Sequence, residues 1–249
     1  MKYVEITESE NIATVILKRG KVNAFNEDTV DEMQSVFNDL ESKSDIKSVI
    51  FTGHGKFFSF GFDVPELIQL SREDFKRFLT KFTALYNTIY TFPKPVIAAL
   101  NGHAVAGGCM LAIMCDYRII ILDRAKVSLN EIAIGVPVFA GSADVLIGLV
   151  GQRNAETILL TGDMYDPPQA MSLGMVDKIV SPDILMQEAH QKALELGNKR
   201  APAYSTIKNF IRRPISEKYL PLESEYIEKF LDIWNSQESQ NLLKDVVIR

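Results

Sequence analysis

The stretch whose residues could do chemistry is Asn101-Gly102-His103-Ala104-Val105-Ala106-Gly107-Gly108-Cys109-Met110, which runs on into Leu111-Ala112-Ile113-Met114-Cys115-Asp116. Three glycines precede a segment, Met110 to Cys115, that is apolar on every side. Glycine is needed where a backbone turns sharply or where a ligand comes closer than a Cβ permits. A helix starting here would be wholly buried. Its free first amides, with the positive end of its dipole, suit a developing negative charge. The pattern therefore fits an oxyanion site. It fits equally a tight strand-to-helix turn with no ligand. It does not fit a nucleotide-phosphate cradle, because there is no G-x-G-x-x-G and no Lys-Ser or Lys-Thr after the glycines.

Elements on both sides must hold this turn. Pro95 to Leu100 is a short apolar run that begins at a proline and reads as a buried strand feeding directly into the glycines. Upstream, Val4-Glu5-Ile6 and Ala13 to Leu17 read as a hairpin, followed by the basic turn Lys18-Arg19-Gly20-Lys21. Asn26 is expected to cap a helix through Leu40, with Val30, Met33, Phe37 and Leu40 on one face. Ser48 to Gly53 reads as a strand, His54 to Asp63 as an aromatic, glycine-broken loop, and Pro65 suits the first turn of a short helix. Arg72 to Tyr90 is the clearest amphipathic helix, with Phe75, Phe78, Leu79, Phe82, Leu85, Tyr86 and Ile89 at helical spacing.

Tyr117 to Leu122 reads as a further strand, and the alternation predicts right-handed crossovers in stacked α/β layers. Val127 to Ile132 leads into an irregular stretch around Gly135 to Gly141. Helices are expected over 142–150 and 153–161, a short one from Pro168, and a last strand from Met175 to Val180. Helices over 184–197, 203–212 and 223–236 complete the chain, so a boundary near Ser181-Pro182 separates a core, residues 1–180, from a helical region, 181–249. Tyr226, Ile227, Phe230, Leu231 and Trp234 form an apolar stripe that suits the chain's own core or a neighbouring subunit.

Composition bounds the function. With 249 residues, 47% of them hydrophobic, the chain can bury one large core, or one core plus a small lobe. A net charge of -5 argues against general binding to nucleic acid or to anionic membranes. No apolar run approaches the roughly 18 residues of a membrane span. The start, Met1-Lys2-Tyr3-Val4-Glu5-Ile6, has neither signal-peptide nor transit character. Cys109 and Cys115, six apart on a buried helix, would face different ways, so reduced thiols and a cytoplasmic location are expected. The three histidines are scattered and no zinc spacing occurs.

Four segments, in order, resemble the crotonase (enoyl-CoA hydratase/isomerase) superfamily. They are Asn23-Ala24-Phe25, Phe58-Ser59-Phe60-Gly61-Phe62-Asp63, Asn101 to Cys109, and Glu131-Ile132-Ala133-Ile134-Gly135-Val136-Pro137. Arg153-Asn154-Ala155-Glu156 and Thr161-Gly162 extend the likeness downstream. It spans the chain from end to end. It implies an α/β fold, a spiral of ββα turns with a C-terminal helical region for trimerisation, assembled as a trimer or hexamer. It implies an acyl-CoA thioester as substrate, its carbonyl held between two backbone amides, and no metal or redox cofactor. Carried over to this sequence, the donors are the N–H groups of Phe62 and Gly107, each worth roughly 10²–10³ in rate. Lys21 and Ala24 fall in the family's CoA-binding turn, although Lys21 also suits a plain solvated charge. Phe60, where the family more often shows alanine, and Asp63 flank the Phe62 donor as substrate contacts. Met110 and Phe139 fall in the acyl pocket.

Met110 is the departure that matters. Hydratases of this family carry a glutamate there and a second one at the position of Glu131, and use the pair to activate a water. A thioether neither accepts nor donates a proton at neutral pH. The retained Glu131 alone could take an α-proton from a 3-enoyl thioester and return it to C4, which is Δ3,Δ2-enoyl-CoA isomerisation. A positioned base of this kind is worth roughly 10²–10⁴, best with its pKa raised in an apolar pocket. Hydrolysis, decarboxylation, weak hydration, or silent acyl-CoA binding are the rival readings. Asp144 and Glu66 are further acids with an open claim on the pocket, and Asp116 suits a helix end or turn.

Overall fold

A computed structural model describes residues 1–246 of the chain. The chain begins with β1 (Val4–Ser9) and β2 (Ile12–Leu17), joined at Glu10 and Asn11, whose positive φ of 51° and 63° give the two-residue turn that matches strand twist. Then come α1 (Glu27–Ser42), β3 (Ser48–Gly53), β4 (Phe57–Ser59), α2 (Val64–Leu67) and α3 (Arg72–Thr91). The middle of the chain holds β5 (Val96–Leu100), β6 (His103–Val105), α4 (Gly107–Met114), β7 (Tyr117–Ile121) and β8 (Val127–Ser128). After a 3-10 turn at Glu131–Ile134 follow α5 (Ala140–Val150), α6 (Gln152–Thr161), α7 (Pro167–Leu173) and β9 (Lys178–Val180). A second short 3-10 turn leads to α8 (Leu185–Gly197), α9 (Ala201–Trp234) and α10 (Gln237–Lys244).

The strands form two sheets. The larger has the order β1-β2-β3-β5-β7-β9 and is parallel except for the β1–β2 hairpin. Strands β3 and β5 are buried along their whole length, as continuous apolar runs in a parallel sheet require. The smaller sheet, β4-β6-β8, is wholly parallel. Each turn of the chain lays one strand in each sheet, β3 with β4, β5 with β6, β7 with β8, and this makes the spiral. Parallel sheets bind ligands beyond the carboxyl ends of their strands. Here those ends deliver Phe62, Gly107 and Glu131, with Gly107 in the middle.

Three expectations change. The strand Pro95 to Leu100 does not run straight into the helix: β6 intervenes, and Gly107 and Gly108 already belong to α4. The aromatic loop 54–63 contains β4. The separate helices over 203–212 and 223–236 are one 34-residue helix that runs through Pro214 and Pro221. A proline inside a helix costs about 3 kcal/mol, and tertiary bonds along α9 offset that. Lys208 donates to Asp116 at 2.6 Å, Arg212 to the carbonyls of Tyr90 and Met114 at 2.6 and 2.9 Å, and Ser216 and Tyr219 to Asn87 at 2.7 and 2.9 Å. Asp116 is thus a buried ion-pair centre, bonded also to the Val96 N–H. The apolar stripe of α9 packs on its own chain, Trp234 lying 4.5 Å from the Phe75 ring on α3 and Phe230 stacking on Phe139 at 5.1 Å. Cys109 and Cys115 are free and buried. No helix among the described residues is long and apolar enough to cross a membrane.

Candidate active site

A cavity of about 130 Å³ opens at the carboxyl ends of β4, β6 and β8. Its apolar wall includes Phe60, Phe62, Met110, Val136, Phe139, Phe230 and Trp234, and its polar side includes Asn130, Glu131 and the backbone at 106 and 107.

Phe62 is held by a parallel bridge to Phe25: the Phe25 N–H donates to Gly61 O at 2.8 Å and the Asp63 N–H to Phe25 O at 2.9 Å. That pattern uses the amides on either side of Phe62 and turns its own N–H the other way. Its ring packs edge-on to Phe78 and Phe82, with centroids 4.9 and 4.8 Å apart. Gly107 opens α4, whose first amides have no carbonyl within the helix to bond. The residue before it, Ala106, sits at φ 49°, ψ -125°, a region that costs a side chain of order 1–3 kcal/mol and is retained where it sets up a site. A Cβ added at Gly61 would lie 3.0 Å from Gly107 N and 2.9 Å from Ala106 Cβ, so the Phe62 segment rests directly on the start of α4. Neither the Phe62 nor the Gly107 N–H has an acceptor among the described residues.

Glu131 is the first residue of the 3-10 turn and is 4% exposed. The turn is fixed from two sides. The Ala106 N–H bonds Ser128 O at 2.9 Å, and Ser239 of α10 donates to Gly135 O at 2.6 Å. Both carboxyl oxygens of Glu131 are buried, and no other group among the described residues hydrogen-bonds them. Burial pushes its pKa from 4.5 up to about 8, opposed only by its own backbone N–H. The nearby Cys109 thiol is likewise pushed up by burial and stays neutral.

The stability consequence has a definite sign. Glu131 is neutral in both states below pH 4.5, and the folded state is progressively disfavoured as pH rises from there through about 8. Glu131→Gln is therefore expected to be more stable than the parent at alkaline pH, by roughly 5 kcal/mol at most, with the gap closing towards pH 4.5. Denaturant melts of both proteins across that range check it.

Six of the nine residues that the sequence suggested line the cavity: Glu131, Phe62, Gly107, Phe60, Met110 and Phe139. Lys21, Ala24 and Asp63 do not. Lys21 is exposed on its turn. The Ala24 carbonyl accepts from Arg19 Nη1 at 3.0 Å, and the Asp63 carboxylate caps α2 and pairs with Arg19 at 2.6 Å. Arg19, read from sequence as part of a basic turn, is thus the clamp that ties the Asn23-Ala24-Phe25 turn to the Phe62 segment. Glu66 pairs with Arg19 and Asn26, and Asp144 with Lys218, away from the cavity. Glu223 is buried and accepts from the Tyr86 hydroxyl and the Gly141 N–H, and it does not line the cavity. Glu131 is therefore the one carboxylate lining the cavity among the described residues. Phe230, Trp234, Val246 and Asn130 also line it. The first two belong to the apolar stripe already noted, but nothing in a single sequence says which cavity a distant helix closes.

This chain belongs to the enoyl-CoA hydratase/isomerase family, whose family model matches residues 7–242. It is similar to the short-chain-enoyl-CoA hydratase of Clostridium acetobutylicum, 32% identical over 88% of this chain and 86% of that protein. The carnitinyl-CoA dehydratase of Citrobacter koseri is 30% identical over 95% of this chain and 92% of its own length. Among solved structures, human mitochondrial delta3-delta2-enoyl-CoA isomerase matches with a TM-score of 0.94 over 97% of this chain and 95% of that one. At 24% identity that last likeness speaks to fold alone.

Proposed function

We propose that this chain is an acyl-CoA-processing Δ3,Δ2-enoyl-CoA isomerase. The observation that carries the reading is a single buried carboxylate, Glu131, lining a mainly apolar cavity together with a thioether, Met110. The thioester C=O would lie between the Phe62 and Gly107 N–H groups, which act where the enolate charge develops. Glu131 takes the proton from C2, the C3=C4 double bond shifts to C2=C3, and the same carboxyl returns the proton to C4. Phe60, Met110 and Phe139 would line the acyl chain, and Lys21 and Ala24 the CoA entrance. Assembly as a trimer or hexamer goes with this reading, and Ile207 and Phe210, 58% and 72% exposed on α9, offer an apolar face for it.

Hydration is the second reading, because the relatives by sequence are named as hydratases and dehydratases. A hydratase needs a water held and activated, a task for which the Met110 side chain has no polar atom of use. Product analysis separates the two. From a 3-enoyl-CoA the expected product is the conjugated 2-enoyl thioester of unchanged mass. A 3-hydroxyacyl thioester formed from 2-enoyl-CoA at a comparable rate would favour hydration. Release of free CoA would favour hydrolysis, and tight CoA binding with no turnover a silent binding protein.

A further inference from the structure

Asn130 precedes Glu131 and lines the same cavity. An asparagine just before a helical turn ordinarily accepts a backbone N–H through its side chain. Asn130 does not. The Ala133 N–H goes to its main-chain carbonyl at 3.0 Å, and no capping bond reaches its carboxamide. Among the described residues its buried Oδ1 has no partner, and neither do Oε1 and Oε2 of Glu131. A buried polar atom left unpaired costs about 1–3 kcal/mol, and such atoms in a native fold call for an explanation. When Glu131 is ionised these three are all acceptors, and they sit in two consecutive side chains. A half-turn of the carboxamide exchanges its oxygen for an NH₂ group, a donor on the side chain next to Glu131 in the chain and lining the same cavity.

We propose that Asn130 is a positioning residue: its carboxamide N–H holds one carboxyl oxygen of Glu131 and leaves the other free to move the proton between C2 and C4. The inference rests on the isomerase reading of this site. One oxygen of a carboxyl accepts a hydrogen bond in both protonation states, so the same bond serves before and after proton pickup. Among the described residues no cation lines the cavity. The elements packed against the turn, α6 and α10, carry Arg153, Glu156, Glu238 and Lys244, all of them exposed. From α4 the neighbouring titratable group is the neutral Cys109 thiol.

Two readouts test this on the full-length protein. The first is the titration of the Glu131 carboxyl by infrared difference spectroscopy, with Glu131→Gln identifying its band. The second is the pH profile of kcat and KM for a 3-enoyl-CoA. Asn130→Ala and the near-isosteric Asn130→Leu both remove the donor, and Leu keeps the test alive should Ala fold poorly. Each is expected to raise the Glu131 midpoint by about one pH unit, because the carboxylate loses its hydrogen bond. Each should lower kcat about tenfold or more with KM changed less than about threefold. A folded variant with the parent's midpoint and kcat would overturn the proposal. Should the parent make no 2-enoyl thioester, the isomerase reading fails, while the titration still decides whether Asn130 holds Glu131.

Discussion

Glu131→Gln is expected to remove double-bond migration, lowering kcat by about 10²–10⁴ while the acyl thioester still binds. The size follows from the arrangement of the cavity. Among the described residues no other carboxylate lines it, and Met110 is part of its apolar wall. Glutamine keeps the shape and loses the proton acceptor. In the parent, burial holds the carboxyl near pH 8, so the base form is the minor one at neutral pH. The rate should therefore climb with pH below about 8 and level off above it, as kcat/KM follows the ionisation of the free enzyme. The same variant should be the more stable protein at alkaline pH. Lost activity with gained stability separates a functional acid from a structural one, since removal of a structural ion pair would lower both.

Gly108→Ala is expected to cost about 10²–10³ in kcat and about 1–3 kcal/mol of stability. A Cβ at Gly108 would come 2.5 Å from the Ser59 carbonyl oxygen and 2.8 Å from Ser59 Cβ. Ser59 has nowhere to go. It is fully buried, its hydroxyl donates to Asn23 O at 2.8 Å and accepts from the Gly61 N–H at 3.1 Å. The methyl group must therefore push α4 away from the segment that carries Phe62, parting the two amides. Gly148→Ala is the control. Its Cβ would meet only Ile215 Cδ1 at 3.8 Å, and a helical alanine is favoured over glycine by about 1 kcal/mol, so activity should hold. Equal activity losses in the two variants would mean that the geometry between α4 and Ser59 is not what matters.

The parts of this protein that the sequence reveals are those with local signals. Asn26 caps α1 through a bond from the Thr29 N–H, as its position predicts, and the apolar spacing of α3 is unmistakable. Motif likeness picks out Phe62, Gly107, Met110 and Glu131. Periodicity fails where elements are too short to show it: β4 and β6 have three residues each and β8 has two. Yet this small sheet is what gathers the site. Local rules fail again at Pro214 and Pro221, where contacts from the rest of the fold carry α9 through both prolines. The roles of Arg19, Phe230 and Trp234 depend on partners 44 or more residues away in the chain, and these appear only when the fold is in hand.

A 3-enoyl-CoA labelled with deuterium at C2, incubated with the enzyme in ordinary water, tests the single-acid transfer most directly. Conjugated product that carries part of its label at C4, with the mass of the substrate otherwise unchanged, is the result expected of one buried carboxyl serving both carbons. A hydroxyacyl product heavier by one water, or turnover that persists in Glu131→Gln, would contradict it.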